Sequence, residues 1–72
     1  MEEKLLGIVS KIIKVPPENL SLETSRQEVE SWDSFAQLYL ISEIEETFNA
    51  VIPIEEITKI HKISDFMKYL KE

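Results

Sequence analysis

Ser34, directly after Asp33, is the residue of this chain best placed to carry chemistry. The pair opens the stretch Asp33 to Asn49, which contains neither glycine nor proline and reads as a helix. Asp is a favoured N-cap because its carboxylate accepts from the open amides of the first turn. A serine at the first helical position then meets free backbone amides and the positive end of the helix dipole, and both stabilise a phosphate on its hydroxyl. Taken alone the pair assigns nothing, since Ser and Asp at helix starts ordinarily do no more than cap. The other chemical candidates are weaker. Glu45 and Glu46 could act as acid or base, but adjacent carboxylates on an exposed helix face are solvated charge. His61 is the only histidine and reads as a surface or capping residue. As a lone histidine it cannot build a multi-histidine metal site, and with no histidine near Ser34 in sequence no credible triad is offered. There is no cysteine, which excludes disulfides, cysteine-ligated metals and a built-in thiol.

The elements that must position Ser34 follow from periodicity. Leu5, Ile8, Val9, Ile12 and Ile13 recur at i, i+3, i+4, i+7, i+8 and predict a first helix. Pro16 and Pro17 stop it, because two consecutive prolines remove donors and push their predecessors out of helical geometry. From Pro16 to Ser31 the sequence is polar, with Leu20, Leu22 and Val29 as its apolar anchors, and reads as an ordered loop that carries the chain across the bundle. The second helix ends near Asn49, which tolerates a left-handed C-cap. Pro53 opens a short third helix around Glu55-Glu56-Ile57. Ile63, Phe66, Met67 and Leu70 predict a fourth, with Ser64 as N-cap and Lys68 and Lys71 complementing its C-terminal dipole. The expected fold is all-α: a small four-helix bundle of three longer helices and one short one, with a long loop between the first two, forming a single domain over residues 1–72.

On the second helix, Leu40, Ile41, Ile44 and Phe48 are assigned to the core. Phe35, Ala36 and Tyr39 are assigned to the opposite side, with Leu38 at the border. This leaves an apolar patch beside the helix start that suggests docking.

Composition narrows the function further. Of the 72 residues, 43% are hydrophobic and 31% charged, a globular balance, but a chain this short supports only a modest core and no deep catalytic cleft. A net charge of −6 repels phosphate backbones and disfavours nucleic acid. The opening Met1-Glu2-Glu3-Lys4 is too acidic for a signal or transit peptide, and no apolar run reaches the roughly 20 residues of a membrane span. A cytoplasmic monomer is expected.

Asp33-Ser34-Phe35 resembles the Asp-Ser-Leu signature of acyl carrier proteins. The remainder agrees in order and spacing: Ile44-Glu45-Glu46-Thr47-Phe48, Ile52-Pro53, Glu55-Glu56-Ile57, Ile60 and a closing Tyr69-Leu70. The likeness covers essentially the whole chain and is most specific from Trp32 to Ile60. It implies a non-enzymatic carrier whose Ser34, beside Asp33, holds 4′-phosphopantetheine drawn from coenzyme A. It also implies partners: a phosphopantetheinyl transferase, an acyl-loading ligase or transferase, and a ketosynthase or other thioester-using enzymes. Phe35, Ala36, Leu38, Tyr39, Glu45, Glu46, Ile54 and Ile57 are the docking residues the resemblance suggests. In family members an acyl chain can enter the bundle, here between residues such as Leu40, Ile44 and Ile57, which are equally ordinary core residues. Phe35 replaces the usual leucine, Trp32 stands where a small residue is common, and Ala36 and Tyr39 occupy positions often acidic in fatty-acid carriers. The docking face is therefore expected to be more apolar, as for a specialised pathway. A peptidyl or aminoacyl carrier, or an unmodified helical interaction module, are the alternatives.

Overall fold

The computed structural model describes residues 2–70, and Lys71 of the predicted final dipole pair lies outside them. Helix α1 spans Glu2–Ile13, α2 Ser34–Phe48 and α3 Ile54–Ile57; the last helical segment, Ile63–Tyr69, is wound as a 3-10 helix. No strand occurs among the described residues, and α1 packs against α2. The radius of gyration is 10.9 Å, close to the ~11 Å expected of a folded chain of this length.

The core follows the predicted stripes. Leu5, Val9 and Ile13 of α1 are fully buried, with Ile8 and Ile12 at the margins, and they meet Leu40, Ile41 and Ile44 of α2. Phe48, assigned to the core, is only partly buried and packs on its edge. Ile52, Ile60, Ile63 and Phe66 close the other side.

Helix α1 ends two residues before Val15. Lys14 turns the chain with φ 59°, and the Val15 amide donates back to the Ser10 carbonyl at 3.3 Å, a closure that satisfies an orphan carbonyl of the last turn. The Ser31 hydroxyl donates to the Ile13 carbonyl, so the far end of the loop is fastened to the end of α1. Helix α2 ends as expected at Asn49, left-handed at φ 54°, with the Ala50 amide donating to the Glu45 carbonyl at 3.0 Å.

The connection from Pro16 to Ser31 is ordered, and its anchors sit as read: Leu20 is buried, Leu22 and Val29 partly so. Two single 3-10 turns punctuate it, at Pro17–Asn19 and Arg26–Glu28. Its middle is clasped to the chain ahead of the last helix. Arg26 N–H donates to the His61 carbonyl at 2.6 Å, Ile63 N–H to Thr24 at 3.1 Å and Ser64 N–H to Leu22 at 2.9 Å, with Ser25 and Lys62 forming an antiparallel bridge.

That clasp corrects the reading of Ser64 as an N-cap. Its amide is spent on the loop, and the cap lies at Lys62, where the Asp65 carboxylate accepts from the amides of His61 at 2.8 Å and Lys62 at 3.0 Å. Ile63, Phe66 and Tyr69 recur every three residues, which suits the three-residue turn of the 3-10 helix. Ile63 and Phe66 are thereby buried together.

Candidate functional site

Ser34 is the first residue of α2 and is exposed, with Asp33 as N-cap in extended conformation. The Asp33 carboxylate accepts from Ala36 N–H at 2.9 Å and its carbonyl from Gln37 N–H at 2.9 Å. The amides of Ser34 and Phe35 have no protein acceptor among the described residues. Two open donors therefore flank the serine hydroxyl at the positive end of a 15-residue helix, an arrangement that favours an anion.

Residues that sequence reasoning passed over build the rest of the site. The Arg26 side chain reaches across from the loop: its Nε donates to the Trp32 carbonyl at 3.3 Å, and its Nη2 lies 3.5 Å from Ser34 Oγ. Trp32 is only 2% exposed and stacks on Phe66, ring centroids 6.5 Å apart and 13° from parallel. Its indole N–H donates to Gln37 Oε1 at 2.7 Å, and Gln37 Nε2 donates to the Ile57 carbonyl at 3.2 Å. Gln37 is itself 3% exposed. This chain of contacts fastens the base of α2 to α3 and leaves no buried side-chain polar atom unpaired among the described residues. The indole serves both ends, its ring face against Phe66 and the N–H at its rim on Gln37.

The predicted docking residues divide. Phe35, Leu38, Tyr39 and Ile54 are exposed, at 75%, 59%, 67% and 83%, and Glu46 is exposed. Ile57 is partly buried against the core. Ala36 is a correction: it is 7% exposed and belongs to the core. Lying four residues before Leu40, it sits only about 40° from it around a helix that turns ~100° per residue, so it shares the inner face. Glu45 is a second correction, because its carboxylate is not presented outward but accepts from Ile52 N–H at 2.8 Å and ties the segment after α2 to the helix.

Beyond the site, Glu56 on α3 accepts from Tyr69 Oη at 2.9 Å and pairs with Lys59 at 3.1 Å and Lys68 at 3.6 Å. The Lys59 hydrogen bond first, and that of Tyr69 next, hold its carboxyl below the usual range. Asp65 is likewise lowered, chiefly by the His61 amide. Glu56 thus ties α3 to the last helical segment and Asp65 caps that segment, and no cluster of metal-binding side chains occurs among the described residues.

Ser34 thus stands exposed at the head of α2, with open amides on one side, the Arg26 guanidinium on the other and exposed apolar side chains on the turns that follow. Comparison with known proteins gives the family. The family described as "Phosphopantetheine attachment site" matches residues 3–70. An acyl carrier protein of Rickettsia bellii (strain RML369-C) is 34% identical, covering 96% of this chain and 88% of the relative. One of Syntrophus aciditrophicus (strain SB) is 35% identical over 99% of this chain and 89% of its own length. Another, of Thermosynechococcus vestitus, is 34% identical over 94% and 84%. The chain belongs to the acyl carrier protein family, whose members are carriers rather than catalysts and hold 4′-phosphopantetheine covalently.

Proposed function

We propose that this chain carries acyl groups on a 4′-phosphopantetheine arm attached through a phosphodiester to Ser34 Oγ. The observation that carries the reading is the exposure of Ser34 at the head of α2 beside the unclaimed amides of Ser34 and Phe35. The residues present fit a phosphate there: Asp33, the adjacent carboxylate, is turned onto the Ala36 amide, and a guanidinium stands 3.5 Å from the hydroxyl.

A separate phosphopantetheinyl transferase, using magnesium, would transfer the arm from coenzyme A: Ser34 Oγ loses its proton and bonds to the phosphorus next to the pantetheine as the pyrophosphate linkage breaks, and adenosine 3′,5′-bisphosphate leaves. When bound, the arm supplies a terminal thiol that holds cargo as a thioester, activated for acyl transfer. The chain's own residues present and protect that attachment. Asp33 holds the first turn of α2 rigid, the Trp32, Gln37 and Ile57 contacts fix the base of the helix, and Phe35, Leu38, Tyr39 and Ile54 offer apolar surface to visiting enzymes. Tethering raises the effective concentration of cargo at each enzyme, so weak docking suffices.

The apolar docking face supports service to a specialised pathway rather than housekeeping fatty-acid synthesis, with an acyl-loading ligase or transferase and a ketosynthase or similar thioester-using enzyme as partners. Contact there relies less on charge steering and more on apolar area. The carrier works as a cytoplasmic monomer comprising one domain over residues 1–72. No helix among the described residues is long and apolar enough to cross a membrane.

Intact mass after incubation with coenzyme A, magnesium and a broad-specificity phosphopantetheinyl transferase tests the attachment. Wild type is expected to gain one phosphopantetheine and a Ser34→Ala variant none. No gain in folded wild type overturns the assignment in favour of an unmodified interaction module. The loaded protein, offered to housekeeping fatty-acid elongation enzymes, is expected to be a poor substitute for their own carrier, and equal support defeats the specialised role.

A further inference from the structure

We infer that Arg26 is a positioning residue for the phosphodiester on Ser34, donating from its guanidinium to a non-bridging phosphate oxygen; the inference rests on the proposed attachment at Ser34. Arg26 is the only arginine in the chain, and it stands in the loop eight positions before Ser34. Its placement is doubly fixed. The backbone N–H is bound to the His61 carbonyl at 2.6 Å, and the side-chain Nε is bound to the Trp32 carbonyl at 3.3 Å. The first bond seats the residue and the second aims the fork, leaving Nη2 at 3.5 Å from Ser34 Oγ.

A neutral hydroxyl uses this neighbour poorly. The contact is long for a hydrogen bond, and Arg26 pairs with no carboxylate among the described residues. Guanidinium presents five donors in a planar fork that matches phosphate geometry, and only one of them is committed at short range, to Trp32. A phosphate on Ser34 Oγ places its charged oxygens within reach of the remaining donors. The long contact then becomes a charge-assisted bond, shorter and stronger than a neutral one. The open amides of Ser34 and Phe35 serve the same anion from the helix side, so the diester is gripped by a loop and a helix at once. The root of the arm is thereby held in one orientation over the apolar residues of α2.

The clasp to the last helix uses Arg26's backbone amide and survives a change of side chain, although the bond from Nε to the Trp32 carbonyl does not. Arg26→Gln removes the charge and keeps a donor, whereas Arg26→Lys keeps the charge without the fork. The test uses wild type and both variants, each in unloaded and loaded form, with loading confirmed by mass. Two signals are read: the side-chain Nε–Hε cross-peak of nitrogen-labelled wild type, which is single because the chain has one arginine, and the phosphorus resonance of the diester. Loading is expected to shift the wild-type Nε–Hε peak. The phosphorus line is expected to be displaced in Arg26→Gln and to lie between the two in Arg26→Lys. In wild type it should move toward the Arg26→Gln position as salt screens the pair.

Coincident phosphorus lines in folded, loaded wild type and Arg26→Gln overturn the inference. If Arg26→Gln does not fold, wild type decides: an Nε–Hε peak unmoved by loading overturns it, and a moved peak with a salt-sensitive phosphorus line supports it. Failure of wild type to gain any phosphopantetheine overturns the Ser34 assignment and this inference with it. A mass gain with phosphorus signals indifferent to Arg26 removes the inference alone.

Discussion

Trp32 and Gln37 tie the base of α2 to α3 through two buried side chains. The indole N–H and the amide oxygen meet at 2.7 Å in a buried setting, where an unpaired polar atom costs far more than a made bond gains. Trp32→Phe keeps an aromatic ring against Phe66 but strands Gln37 Oε1. It is expected to cost about 1–3 kcal/mol from the lost partner, together with the volume left unfilled. Gln37→Leu alone strands the indole N–H and takes the partner from the Ile57 carbonyl, so chemical denaturation of both single variants and the double one should find the double less destabilised than the sum of the two. Strict additivity of the two single effects would show that the bond between them contributes nothing and that volume and the Ile57 contact account for the losses. Arg26 and Ser34 make the complementary case under the proposed attachment, of two residues whose contact would serve the attached group rather than the fold.

Helices α1 and α2 end by the same device with different suitability. Asn49 accepts a left-handed backbone readily, whereas Lys14, at φ 59°, adopts a conformation that costs an ordinary side chain roughly 1–2 kcal/mol. Lys14 is exposed, so Lys14→Gly relieves strain without removing core packing. The expected gain is about 1 kcal/mol in stability by denaturant unfolding, and a loss would mean that the lysine side chain contributes something the geometry does not show. The three α-helices and both caps of α2 were legible because they depend on neighbours in sequence: Leu5, Val9 and Ile13 repeat at helical spacing, and Asp33 and Asn49 are chemically suited to their ends, whereas the turn at Lys14 gave no such sign. Ala36 was assignable by the same arithmetic and was misplaced by being grouped with Phe35 and Tyr39. Arg26, Trp32 and Gln37 were not legible, because each owes its role to a partner in another element, and a loop without period gives no sign of which partner that is. The 3-10 winding of Ile63–Tyr69 escaped for a related reason. Its side-chain pattern satisfies either helix, and the loop residues bonded to its first turn help decide the outcome.

The closing segment of the molecule is held by carboxylates, and this sets its response to acid. Asp65 and Glu56 both ionise more readily in the folded protein than in the unfolded chain. The unfolded chain therefore binds more protons over the intervening range, and stability falls as pH drops. Their contribution is complete above the ordinary carboxylate range and is lost below about pH 4 as the folded values are passed. Denaturant midpoints measured from pH 7 to pH 2 should decline over that window, and Asp65→Asn with Glu56→Gln should flatten the decline. An unchanged slope in the double variant would place the acid sensitivity elsewhere. The same segment is reached by the clasp from the loop, whose flanking pair Glu23 and Lys62 stand 39 positions apart in sequence. Closing so long a stretch of chain carries an entropic toll that grows with the logarithm of its length, while the α-helices close through local contacts. Docking of α1 on α2 closes a comparable stretch but buries the apolar stripes of both helices, so the clasp, which buries little, is expected to form after it. Weakening the clasp should leave the folding rate nearly untouched and quicken unfolding instead, so the strap that seats Arg26 beside Ser34 also governs how long the assembled carrier persists.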